Sequence, residues 1–256
     1  MLFRSDLFYP QTQTKPRGLI AGYRTEESSG ELWWDEFGAQ HAFLRGAPAR
    51  STDSTLGTSV ISLDGVDDYA AFDRSLADTP LFSFSCWIKP ANAAGSDESI
   101  LFLGSSATRA LQVRRNPSGN ASFSISNGTT TRSLTSVSDL PQNVWRHVAI
   151  TLDGTNGKLY VNGALEASAA VTLRPLDVLA ANHHTAQQAN YLGRDWNGAL
   201  CKAHFADVRF HKVALTAAAV RAESCRRGAI LGPFSARSPA SFNGTSTIAQ
   251  SGIRNR

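Results

Sequence analysis

Cysteine is scarce in this chain. Its 256 residues hold three, Cys86, Cys201 and Cys225, an odd number at wide spacing. That excludes a disulfide framework and a cysteine-based zinc site. Cys86 lies in an apolar alternation and reads as a small core residue. Charge is also low, at 18% where about a quarter is usual. Ser, Thr, Asn and Gly are plentiful instead, which suits many strands joined by turns. No window approaches eighteen consecutive apolar residues, so no membrane span is expected. The opening MLFRSDLFYPQTQTKPRG carries Arg4 and Asp6 and no apolar run of seven or more. It is unlike a signal peptide, and the chain is expected to be made and folded in a cytoplasm. No two Asp or Glu residues stand at i and i+2, and no G-x-S-x-G occurs. Those absences speak against paired carboxylates on one strand and against a serine nucleophile elbow.

What is present is apolar bulk and alternation. Hydrophobic residues make up 42%, enough for one large β domain. The net charge of +4 is not spread evenly: residues 221–256 alone hold six arginines and one glutamate. These arginines are spread over 36 residues, which speaks against nucleic-acid binding. From about residue 58 a period of two takes over. TSVISL and DYAAF flank Asp64-Gly65. In LFSFSCWIKP, Phe82, Phe84, Cys86 and Ile88 fall on one face, with Ser83, Ser85 and Trp87 on the other, and Pro90 stops the strand. SILFLG, ALQVRR and ASFSIS continue the series. In NVWRHVAITLDGTNGKLYVNGAL, Val144, Arg146, Val148, Ile150 and Leu152 share a face expected to be buried. DGTNG and then Asn162-Gly163 reverse the chain, the latter suiting a type I′ turn, which predicts a three-strand meander. ALTAAAVRAESCRRG predicts one short helix, with Thr216 as N-cap, arginines in the last turn and Gly228 closing it. About a dozen strands and one helix argue a two-sheet sandwich.

The order SLDGVDDYAAFD, FSFSCWIKP, NVWRHVAITLDGTNGKLYVNG, LGRDWNGALCKAHFADVRFHKVALTAAAV resembles the laminin-G-like, concanavalin A-like jelly-roll superfamily. Trp145, His147, Val148, Ala149, Tyr160, Val161, Asn162, Gly163, Asp207, Val208 and Arg209 stand where that pattern has its W-x-H-V-A, Y-V-N-G and D-V-R stretches, and Ala214 and Leu215 begin the run into the helix. The resemblance covers about Gly18 to Arg227. It implies an all-β, antiparallel jelly-roll sandwich over 18–227, flanked by an N-terminal arm (1–17) and a basic C-terminal arm (228–256).

Members of that superfamily include sugar-binding modules, protein-binding modules, glycanases and virion proteins, so the sites must speak for themselves. Sugar binding uses aromatic faces with Asn, Asp and Arg at loop tips. Trp33, Trp34 and Trp196, with Arg194 and Asp195, stand in such polar stretches (WWDEFG, RDWNG) and are candidate ligand residues. The alternative is that the tryptophans close the ends of the core. Trp87 and Trp145 lie in strands and are expected to pack. The resemblance implies a calcium ion on loop oxygens. Asp64, Asp67 and Asp68 offer hard ligands within one turn, and a solvated acidic turn is the alternative. His183-His184 is expected on the surface.

The leading expectation is a non-enzymatic virion structural protein, a bacteriophage capsid-decoration or tail component. Its partners would be other virion proteins or copies of itself, held through Phe3, Phe8, Tyr9, Arg226, Arg227, Arg237, Arg254 and Arg256 of the arms. The second is a carbohydrate-binding module or adhesin that recognises cell-surface glycans, and the third a glycanase.

Overall fold

The computed structural model describes residues 15–24, 30–37, 40–72, 74–179 and 189–225. The arm residues Phe3, Phe8, Tyr9, Arg226, Arg227, Arg237, Arg254 and Arg256, and the pair His183-His184, lie outside the described residues. In chain order the strands are β1 (Leu19–Tyr23), β2 (Leu32–Trp33), β3 (Ala42–Arg45), β4 (Ala49–Asp53), β5 (Thr58–Asp64), β6 (Tyr69–Ala71), β7 (Phe82–Pro90), β8 (Glu98–Ser106), β9 (Arg109–Arg115) and β10 (Asn120–Asn127). They continue with β11 (Thr131–Asp139), β12 (Arg146–Leu152), β13 (Asn156–Val161), β14 (Ala164–Ala170), β15 (Ala189–Leu192) and β16 (Lys202–His211), followed by the helix α1 (Ala217–Ser224).

Two antiparallel sheets face each other. Sheet 1 runs β14-β13-β12-β7-β16-β5-β4, with β1 added on β16; sheet 2 runs β11-β10-β9-β8-β15-β6-β3-β2. Only strands with alternate apolar residues can bury one side of each sheet. Phe82, Phe84, Cys86 and Ile88 of β7 meet Leu101, Leu103, Leu111, Val113, Phe123 and Ile125 of sheet 2 in one buried cluster. The expected meander is β12-β13-β14. Its second turn has Asn162 at φ 51° and Gly163 at φ 79°, the positive angles a type I′ turn demands. Burial on β12 starts later than expected: Val148, Ile150 and Leu152 are buried, but Val144 precedes the strand and is exposed.

The helix also differs from expectation. Thr216 is the N-cap and accepts from Ala219 N, but the helix ends at Ser224 with Cys225 as its cap. Arg221 is the basic residue of its last turn; Arg226, Arg227 and Gly228 lie outside the described residues. Pro90 ends β7 as its final residue, where its missing N–H costs the ladder nothing and its carbonyl takes Asn143 N.

A bulge in β16 shapes the middle of sheet 1. The strand's first half pairs with β5 and its second with β1, while β7 runs along both. The register slips between Ala206 and Arg209, and Asp207 sits at φ 46°. A non-glycine residue there costs on the order of 1 kcal/mol. Its carboxylate accepts from Arg209 Nε at 2.7 Å, which holds the turn in place.

Candidate functional site on the outer face of sheet 2

Each sheet has a second, outward side, and the chain treats the two differently. Outside sheet 1 it lays three of its own segments. Helix α1 sets Val220 on Ala149 and Tyr160. Leu56 and Trp145 cover Trp87, Val60 and Ala206. The segment after β2 brings Glu36 to Arg209 and to Arg24. Glu223 pairs two polar groups caught beneath: Ser85 Oγ donates to Glu223 Oε2 at 2.7 Å, and Glu223 Oε1 lies 3.0 Å from His211 Nε2, while His211 Nδ1 has no partner among the described residues. Burial would push the Glu223 carboxyl up, but His211, Ser85 and the Arg209 charge together hold it below its ordinary value.

Outside sheet 2 the described cover is slighter: the turn after β15 lays Trp196 over Phe102, which is buried with Ala110 and Ala189. Cross-strand register lines up one row of outward residues over seven strands: Phe43, Ala71, Tyr191, Phe102, Gln112, Ser124 and Ser133. One half of the row is aromatic and the other is hydroxyl and amide. Trp196 joins the aromatic half from the turn after β15, its ring 6.4 Å from that of Phe102. Tyr69 meets Tyr191 edge-on at 5.4 Å. Arg194 lies over both, 4.7 Å from the Tyr69 ring and 5.3 Å from the Tyr191 ring. Phe43 is 51% exposed, and Tyr69, Tyr191, Arg194 and Trp196 are half-buried. Gln112 is 8% exposed, and its Oε1 is buried without a hydrogen-bond partner. Flat apolar faces beside unsatisfied polar atoms are what a saccharide needs, since a sugar ring has a C–H face and a hydroxyl edge.

Of the residues singled out from sequence, Trp196 and Arg194 stand in this cluster. Asp195 is next to them, but its Oδ1 takes Ala199 N at 2.8 Å and serves the turn. Trp34, 42% exposed, lies edge-on to His41 at 4.3 Å, and no ring contact ties it to the cluster. Trp33 must be corrected. It is fully buried against Tyr23, and its indole N–H is spent on Arg24 O at 3.0 Å, so it presents no face to a ligand. WWDEFG looked loop-like, but its first tryptophan belongs to β2 and points into the sandwich. Tyr69, Tyr191, Phe102 and Gln112 were missed. Period-two reading places Tyr69 and Tyr191 opposite the core residues Ala70 and Leu192, so the signal existed, but nothing local marked that side as open.

Asp64, Asp67 and Asp68 converge in the turn before β6, with one oxygen of each within 4.8 Å of the others. Asp64 Oδ1 accepts from Val66 N and Asp67 N, and Asp68 Oδ2 accepts from Asp64 N. Asp68 is buried, and burial, backed by the Asp64 and Asp67 charges, raises its pKa above the ordinary value. The donor set suits a hard divalent cation in type and spacing, and the turn is also self-supporting through its hydrogen bonds. Burial pushes both core thiols, Cys86 and Cys201, far up, so neither is a nucleophile.

The sequence profile of the concanavalin A-like lectin/glucanases superfamily matches residues 64–221. Among curated proteins no relative matches significantly. Solved structures match in fold. One is domain 4 of an extracellular arabinanase from Geobacillus stearothermophilus in complex with arabinotriose, at TM-score 0.62 and 19% identity, covering 80% of this chain and 98% of that one. Another is a mutant Trypanosoma rangeli sialidase with trans-sialidase activity, at 0.61 and 14%, covering 83% of this chain but 33% of the sialidase. A third is the receptor-binding domain of botulinum neurotoxin mosaic serotype C/D, at 0.58 and 17%, covering 81% of this chain and 50% of that one.

Proposed function

The chain belongs to the concanavalin A-like lectin/glucanases superfamily, and from that premise we propose that it binds glycans on the outer face of sheet 2, without cleaving them. One observation carries the reading: on the outer side of sheet 2, Phe43, Tyr69, Tyr191, Arg194 and Trp196 stay exposed or half-buried around a buried Phe102, while the opposite outer face is buried under the chain itself. Trp196 and Tyr191 would take the C–H face of a sugar ring, and the half-buried Ser124 would meet its hydroxyls. The arabinanase domain is similar over nearly its whole length and was solved with arabinotriose, which supports a saccharide as the ligand class.

Cleavage would need an acid and a second carboxylate facing one bond, about 5–10 Å apart. In β3, β6, β15, β8 and β9, Glu98 is the sole acidic residue, and it is turned inward onto Arg115 at 2.9 Å. Asp64, Asp67 and Asp68 would hold a calcium ion at the edge of this face and brace the turn leading into Tyr69. The virion role expected from sequence rests on arm residues outside the described ones, and no observation on the sandwich favours it over glycan binding.

The test is calorimetric titration and array screening with neutral and charged oligosaccharides, arabinotriose among them. Binding to at least one class, weakened tenfold or more by Trp196→Ala with the fold intact, is expected. Absence of binding to every class, with and without calcium, overturns the proposal.

A further inference from the structure

We infer that the saccharide taken by this face carries carboxylate groups, with Arg194 as their anchor; the inference rests on the glycan-binding reading above. The first reason is the state of the guanidinium. Arg194 is held flat over two tyrosine rings, which fixes its plane. Its side chain makes no hydrogen bond or ion pair among the described residues, so its forked N–H edge is unspent. A planar, preorganised fork of that kind matches a carboxylate in bidentate fashion.

The second reason is charge. Arg45 stands across from Tyr69 on β3, and Arg114 stands two residues beyond Gln112 on β9. Neither has a carboxylate partner among the described residues. Glu98, the one acid of these five strands, is already neutralised inside the sandwich. The strands of this face therefore offer the Arg45 and Arg114 guanidinium groups and no outward carboxylate, and Arg194 adds a third from the turn after β15. The acids stand at the edge: Asp64, Asp67 and Asp68 crowd one another before Tyr69, and Asp195 is spent on Ala199 N. Cations on the platform with the acids set aside from it favour an anionic ligand.

The experiment titrates the full chain, in EDTA, with a galacturonic acid trisaccharide and with its fully methyl-esterified form. The two share shape and hydroxyls and differ in charge. The acid is expected to bind at least tenfold tighter than the ester, with a preference that shrinks as salt rises. In Arg194→Gln, checked for folding by near-ultraviolet circular dichroism, the acid-to-ester ratio falls to about one. Arg194→Lys recovers only part of the preference, because the charge returns without the fork. Equal binding of acid and ester by the wild-type chain overturns this inference and leaves glycan binding standing. Loss of all binding, arabinotriose included, removes both. An acid preference that needs calcium and survives Arg194→Gln assigns the anchor to the Asp64 turn instead. Equal competition by a sulfated oligosaccharide overturns the assignment to carboxylate. The ester comparison needs no variant, so it decides the matter even if Arg194→Gln does not fold.

Discussion

The two outer faces of the sandwich are built from similar strands and end up as opposites. On sheet 1, the buried Ser85 and His211 pair with Glu223 of α1, and the buried Arg209 pairs with Asp207 and with Glu36 of the segment after β2. On sheet 2, Arg194, Arg45 and Arg114 have no such partners among the described residues. Arginine is at the centre of both faces, so residue type does not distinguish them. Whether the chain supplies the counter-charge does. Buried charges must be paired within the fold, whereas charges beside an open aromatic platform can be paired by a ligand. The first face serves stability, and the second is the one we propose for the ligand.

That contrast is breakable. Arg209→Ala takes from the buried Asp207 carboxylate the guanidinium it accepts from, and such a loss costs about 3–5 kcal/mol. Urea unfolding should show it, with glycan affinity unchanged wherever the protein is folded. A pair of tryptophans gives the next test. Trp33→Ala, within the core, should cost about 3–5 kcal/mol by cavity formation. Trp196→Ala should cost only about 1 kcal/mol of stability and lose roughly tenfold or more in glycan affinity, about 1.4 kcal/mol. If Trp196→Ala unfolds the protein as readily as Trp33→Ala, the outer face of sheet 2 is a second core and the contrast collapses.

Much of the fold could be read from the sequence because its signals are local. Alternation in LFSFSCWIKP put Phe82, Phe84, Cys86 and Ile88 on the core side, and Asn162-Gly163 fixed a turn whose angles only a few residues tolerate. The site was harder. Ser83, Ser85 and Trp87 read as an outward face, which they are, yet all three are buried: α1 and the residues leading into it cover the serines, and Leu56 and Trp145 cover Trp87. The row on sheet 2 joins β15 to β8 and β6, where Tyr191 meets Phe102 and Ala71, residues 89 and 120 positions earlier in the chain. Nothing near Tyr69 announces Tyr191. Arg194 and Trp196 were found because they share one turn; Gln112, alone in an apolar strand, gave no local sign that its carbonyl would go unpaired.

Acid separates two corners of the molecule more gently. Asp53 lies under the covered face. Burial works against its ionisation, but the Lys89 ammonium at 2.6 Å and the Leu56 and Thr55 amides outweigh it and hold the carboxyl at about 2. A depressed folded pKa contributes stability above the unfolded value of 3.8, and that contribution fades as pH falls towards 2. Asp53→Asn should therefore lower Tm at pH 7 by the modest amount a partly exposed pair supplies, ~0.5–1 kcal/mol. Wild type and variant should converge in thermal melts as pH approaches 2.

Asp68, at the edge of the open face, should behave in the opposite sense and with the smallest effect. Burial raises its folded pKa, and the Asp64 and Asp67 charges add to it. Its contribution is therefore fully present below the unfolded value and is lost as pH rises through the folded one. At neutral pH the ionised group strains the turn, and a divalent cation among the three carboxylates would relieve that strain. Asp68→Asn keeps an oxygen to accept from Asp64 N while removing the repulsion, so in EDTA at pH 7 it should raise Tm slightly, by a few tenths of a kcal/mol. In calcium the order should reverse, because wild type gains from the ion and the variant gains less. If calcium shifts neither protein, the three aspartates are a turn and nothing more, and the binding role of this edge passes wholly to Arg194 and the rings beneath it.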